Sequence, residues 1–86
     1  MNFLGGYMTV TIIGVSLENR LETSVEFQKI ISKFGCQINT RIGLHPLKEN
    51  VCLNQGIVLL EVSGDAAPLI EELSKKWEIQ TMKFEL

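Results

Sequence analysis

Three residues at alternating positions of one predicted strand have the chemistry to bind a small anion. Arg41, Gly43 and His45 are spaced by two, so they share one side of an extended chain. A guanidinium binds carboxylate or phosphate through paired N–H groups, and a glycine lets a ligand approach the backbone. The same pattern is also typical of an ordinary exposed strand that twists at Gly43, and both readings stay open.

The loop that enters the first predicted helix is a second part of this candidate site. It consists of Glu18, Asn19 and Arg20, and the free amide groups at a helix N-terminus can receive an anion. The alternative is that Asn19 only caps the helix, with Glu22 three residues later completing the cap.

His45 and Cys52 are candidate metal ligands. Nitrogen and sulfur ligands of this kind favour nickel, copper or zinc. A complete site would need a further ligand from Cys36 or from a second subunit. The alternative is a solvated histidine and a buried thiol, and Cys36 itself is expected to pack as a small apolar side chain.

The remaining composition excludes several function classes. The sequence contains no phosphate-binding glycine loop, nucleophile elbow or metalloprotease motif, so we expect a non-enzymatic protein without a cofactor. A net charge of −2 disfavours nucleic-acid binding. No segment approaches the roughly 20 apolar residues of a membrane span, and no signal peptide is recognised. We expect reduced thiols and a cytoplasmic location.

The 86 residues predict one domain over residues 8–86, preceded by an N-terminal extension at residues 1–7. Gly35 is expected to end the first helix in a left-handed conformation. Apolar residues change phase near Gln80 and Thr81, which predicts a bulge in the last strand. The predicted strands lie at 9–15, 36–45, 56–62 and 77–84, with a long hairpin connection at 46–55. The first predicted helix lies at 19–34. The second begins after the turn at 63–65 and carries an apolar stripe of Ala66, Leu69, Ile70 and Leu73.

The order βαββαβ predicts an α+β, ferredoxin-like fold, in which two helices cover one face of a four-stranded antiparallel sheet. The first and third strands are apolar on both sides, so we expect them at the centre. The uncovered face would then expose either Ile13 with Val15 or Val10 with Ile12. We therefore expect a homodimer or higher oligomer through this face or an edge strand. A protein–protein interaction module is a further alternative.

Two segments carry a resemblance to a known family: Gly14-Val15-Ser16-Leu17-Glu18-Asn19-Arg20, and Phe34-Gly35 followed by Arg41-Ile42-Gly43-Leu44-His45. Over residues 8–86 the chain resembles the iron-only hydrogenase system regulators, an ACT-like group related to the ligand-binding domain of nickel-responsive repressors. The resemblance implies an ACT-like transcriptional or hydrogenase-system regulator that forms dimers or tetramers and binds a small molecule, for which we expect a small acid. Arg41 and Gly43 match family positions, whereas His45 stands where proline is common.

Overall fold

The computed structural model describes residues 8–18, 20–44, 47–48, 51–52 and 55–86, and it is limited to the backbone at residues 18, 20–24, 47–48, 51–52 and 55. The elements in chain order are β1 (Thr9–Glu18), α1 (Arg20–Lys33), β2 (Ile38–Leu44), β3 (Leu47–Lys48), β4 (Val51–Cys52), β5 (Gln55–Ser63), α2 (Ala67–Ser74) and β6 (Glu78–Glu85). The short strands β3 and β4 pair with each other, within the segment that the sequence predicts as a hairpin connection.

The four long strands form one antiparallel sheet in the order β2-β5-β1-β6. This order confirms the predicted ferredoxin-like α+β fold, with β1 and β5 at the centre. Both central strands carry apolar side chains on consecutive residues. This pattern is typical of a strand whose two sides both contact apolar side chains.

The core lies between the sheet and the two helices, on what we call the helix side. Odd-numbered residues of β1 and even-numbered residues of β5 face this core, because pairs such as Ile13 and Leu60 lie opposite each other and are fully buried. The predicted stripe on α2 is correct, since Leu69 and Leu73 are also fully buried. The remaining members of the core cluster are Val15, Leu17, Phe27, Ile30, Ile31, Val62 and Ala66.

Two ion pairs join α1 to α2 and to the turn that follows it. Lys33 Nζ lies 3.1 Å from Glu72 Oε1, and Lys76 Nζ lies 2.7 Å from Glu26 Oε2. The hydrogen bond and the charge of Lys76 lower the pKa of Glu26 below its ordinary value of 4.5. Both pairs are exposed, so each contributes little to stability.

The prediction for Gly35 is wrong. The left-handed conformation occurs instead at Gly64, whose φ is 83°, in the turn before α2. At the end of α1, the Phe34 N–H donates to the Ile31 carbonyl at 3.0 Å and the Gly35 N–H donates to the Ser32 carbonyl at 3.4 Å. These tight turns use the last carbonyls of the helix, so the chain needs no left-handed residue there.

The predicted bulge in β6 is also wrong. The pairing of β6 with β1 runs without interruption from Thr9 opposite Glu85 to Ser16 opposite Glu78. Ile79 faces the core, but further along the strand the helices no longer cover the sheet. The apolar residues therefore move to the other side, at Met82 and Phe84. The register shift lies in β2 instead, between Ile38 and Thr40.

Candidate functional site

Arg41 lies on the helix side of the edge strand β2, where it pairs with the buried Leu60. Its Nη1 donates a hydrogen bond to Gln28 Oε1 of α1 at 2.8 Å. The guanidinium carbon lies 5.6 Å from the centre of the Phe27 ring. The side chain therefore covers the edge of the core with its stem, while its charged end stays exposed to water.

Both contacts of this guanidinium with described residues are with uncharged groups. Among the described residues, no carboxylate lies within 4.0 Å of Arg41. A guanidinium has five N–H donors in a planar fork, and the bond to Gln28 uses one of them. The orientation of Arg41 is thus set by an amide and an aromatic ring, and several of its donors have no described acceptor.

Gly43 lies on the same side of β2 as Arg41, opposite Val58. A Cβ atom built on Gly43 would have no atom of another described residue within 4 Å, apart from its two chain neighbours. The structure therefore brings the predicted arginine and glycine together, with open space next to the strand.

The loop entering α1 lies at the same end of the sheet as Gly43. Glu18 is paired with Gln55 of β5, three residues from Val58, and α1 begins at Arg20. Asn19 and the side chains of Glu18 and Arg20 lie outside the described part of the structure. The backbone register places Glu18 at the end of the sheet where β2 ends at Leu44, and no contact of Glu18 or Arg20 with Arg41 is described.

The candidate metal ligands are only partly described. His45 lies outside the described residues, and Cys52 is described only as a backbone position in β4. The expectation that Cys36 is packed is wrong: its side chain is exposed, because it lies in the turn after α1. Within the described ranges, no group of three or more His, Cys, Asp and Glu residues is placed to hold a metal ion.

Sequence reasoning missed the residue that accepts a hydrogen bond from the Arg41 guanidinium, Gln28. A shallow recess of about 310 Å³ on α1 is lined by Val25, Gln28, Lys29 and Ser32. Gln28 therefore lies between this recess and the guanidinium of Arg41. Residue spacing within one helix or strand could not have predicted this contact, because Gln28 lies on α1 and Arg41 lies on β2.

Together, the fold and this site define a small ferredoxin-like α+β domain with a cationic group at the edge of its sheet. The chain is similar in fold to the uncharacterized protein TM1266 from Thermotoga maritima, with a TM-score of 0.68 and 20% identity over 92% of this chain and 98% of that one. No family model and no curated protein matches the sequence. At 20% identity, this similarity shows that the two proteins share a fold and nothing further.

No helix in the described part of the chain is both long enough and apolar enough to cross a bilayer.

Proposed function

We propose that this chain is a non-enzymatic regulatory domain that binds a small organic acid beside Arg41 and Gly43. The observation that carries the proposal is the environment of the Arg41 guanidinium. Gln28 and Phe27 orient it without neutralising it, since one is an amide and the other an aromatic ring. A guanidinium held in this way is suited to a two-point bond with a carboxylate.

The surroundings of Arg41 support a ligand of small size. Gly43 leaves room beside the strand, and Gln28 also lines a shallow recess on α1. The sequence also predicts the loop at Glu18–Arg20 and His45 as parts of this site; Asn19, His45 and the side chains of Glu18 and Arg20 lie outside the described part of the structure.

The regulatory part of the proposal has a separate support. The segments at residues 14–20 and 41–45 resemble those of the iron-only hydrogenase system regulators, whose ACT-like domains are not enzymes. A metal sensor that uses His45 and Cys52 is the competing function, and no contact among the described residues favours it.

A thermal-shift screen against amino acids and small carboxylic acids tests the proposal. A ligand at about 100 times its Kd adds about 2.7 kcal/mol to the free energy of unfolding. For a domain of this size, that corresponds to a rise in Tm of roughly 10 °C or more. We expect at least one acid to give a saturable shift.

Variants identify the site. Arg41→Ala should abolish the shift, and Arg41→Lys should weaken it because lysine keeps the charge but loses the planar fork. Lys83→Ala is the matched control, since it removes an exposed positive charge from the opposite edge strand. A shift that persists in Arg41→Ala would contradict the proposed site. A shift with nickel or zinc that His45→Ala or Cys52→Ser abolishes would instead support the metal sensor.

A further inference from the structure

Two consecutive residues of α1 contact the guanidinium of Arg41 from different directions. The Phe27 ring centre lies 5.6 Å from the guanidinium carbon, and Gln28 Oε1 accepts a hydrogen bond from Nη1 at 2.8 Å. Neighbouring residues of a helix point about 100° apart around its axis, so the ring and the amide reach the guanidinium from separate sides. Together the two contacts restrict both the position of the group and its rotation.

The ring contact and the strand that carries Arg41 both belong to the packed core. Phe27 is 1% exposed, and its ring packs edge to face on Trp77. Arg41 extends from β2 opposite Leu60, which is fully buried. Side chains in a close-packed core interdigitate and keep to defined rotamers. Of the two described contacts of the guanidinium, only that of Gln28 comes from an exposed side chain.

The atom that Gln28 binds determines which donors of the guanidinium it occupies. A carboxylate can bind two parallel N–H groups either along the edge formed by Nε and Nη2 or at the end formed by Nη1 and Nη2. Gln28 binds Nη1, which is part of the end but not of the Nε–Nη2 edge. A ligand therefore competes with Gln28 at the end of the guanidinium and does not compete with it at the Nε–Nη2 edge.

The uncharged amide of Gln28 is as important as its position. Glutamate has the same shape as glutamine, but its carboxylate would form a charge-assisted pair with the guanidinium at this distance. An amide oxygen accepts the same hydrogen bond and leaves the positive charge of Arg41 for a ligand. Residue 28 is thus suited to orient the cation without competing with an anion.

We propose that Gln28 is the positioning residue of the Arg41 site, and that it directs the site to carboxylates that bind the Nε–Nη2 edge through two oxygens. The inference rests on the function proposed above, because it specifies how the small acid is bound. Gln28 acts through Arg41 and does not touch the acid.

The first test needs no ligand. The chain contains two arginines, Arg20 and Arg41, so the side-chain Nε–H signal that Arg41→Lys removes from the NMR spectrum belongs to Arg41. In the wild type we expect this group to have an order parameter closer to the ~0.85 of rigid backbone than to the values below ~0.6 of flexible segments. Gln28→Ala should lower the order parameter, and Gln28→Glu should maintain it. Equal values in the wild type and Gln28→Ala would overturn the positioning role.

The second test titrates acetate and acetamide, at constant ionic strength, against the Nε–H signal of Arg41. Acetate should shift this signal in the wild type, whereas acetamide, which has one oxygen and no charge, should not. Near neutral pH, Gln28→Glu should weaken acetate binding by about 10-fold or more, because the introduced carboxylate neutralises the guanidinium. A merely structural role would not give this result, since Gln28→Glu keeps the Arg41 side chain ordered.

Gln80→Glu is the matched control. It makes the same chemical change at an exposed position of β6, on the opposite edge of the sheet. It should leave both the order of the Arg41 Nε–H and the acetate affinity unchanged. Gln28 is also exposed, so its variants should fold, as circular dichroism would verify.

The outcomes separate this inference from the proposed function. If acetate binds the wild type and Gln28→Glu equally well, the ligand function stands and the role of Gln28 is overturned. If Gln28→Ala loosens the Arg41 Nε–H but acetate does not shift it, Gln28 positions the guanidinium and the proposed binding of small acids fails. An equal loss of acetate affinity in Gln80→Glu would attribute the effect to net charge and would also overturn the inference.

Discussion

The contact between Phe27 and Trp77 should contribute measurably to stability. Phe27 is almost fully buried, and its ring meets that of Trp77 edge to face, with centres 5.5 Å apart and planes at 83°. Such a pair is worth about 0.5–1.5 kcal/mol beyond the area that it buries. Phe27 also lies beneath the Arg41 guanidinium, a contact worth about 0.5–1 kcal/mol at an exposed site.

Replacing Phe27 by leucine keeps an apolar side chain in the core but removes both ring interactions. We expect Phe27→Leu to lower the free energy of unfolding by about 2 kcal/mol, with part of the loss from reduced volume. For a domain of this size, the expected fall in Tm is roughly 8–16 °C.

A double-mutant cycle isolates the ring pair. Urea unfolding followed by circular dichroism is suitable, because Trp77 is the only tryptophan and its variant loses the fluorescent probe. Phe27→Leu and Trp77→Leu should be non-additive by about 1 kcal/mol. The control cycle combines Phe27→Leu with Phe84→Leu, on the side of the sheet that faces away from α1 and α2, and its two effects should add. A coupling between Phe27 and Trp77 below about 0.3 kcal/mol, the usual limit of additivity, would refute the reasoning.

Two further predictions concern local features. Gly64→Ala should destabilise the fold by about 1–2 kcal/mol, because φ is 83° there. Gly35→Ala, at a glycine with an ordinary φ, should be neutral or stabilising by up to about 1 kcal/mol, and equal effects in thermal melts would contradict this assignment. Lys76 lowers the pKa of Glu26, so the ionised carboxylate stabilises the fold above its ordinary pKa of 4.5, and this contribution is lost as the pH falls through the lower folded value. Stability should therefore decrease more steeply with falling pH below 4.5 in the wild type than in Glu26→Gln, and parallel curves would exclude this role.

Much of the fold could be predicted because its signals are local. The apolar runs of β1 and β5 indicate central strands, and the spacing of Leu69 and Leu73 indicates the buried face of α2. These patterns depend only on the 2-residue period of strands and the 3.6-residue period of helices. The candidate site was found in the same way, since Arg41 and Gly43 share a strand side whatever lies across from it.

The predictions for Gly35 and β6 were wrong for the same reason: in each case the local sequence is compatible with more than one structure. A glycine after a helix is compatible with several turns, and the hydrogen bonds of Phe34 and Gly35 select among them. A change of apolar phase is compatible with either a bulge or a strand that is covered on different sides along its length. The extent of the helices decides this for β6, where Met82 faces away from them.

The sequence by itself determined the order of the elements, the two central strands and the residue types available for a site, because each depends on neighbours along the chain. Only the tertiary structure decided that Gln28 and Phe27 orient Arg41, and that Ile42 and Met82 lie on the same side of the sheet, away from the helices. Those relationships depend on how a helix crosses the sheet and on the register between strands. Such contacts join residues far apart in sequence, and they are settled by packing of the whole core.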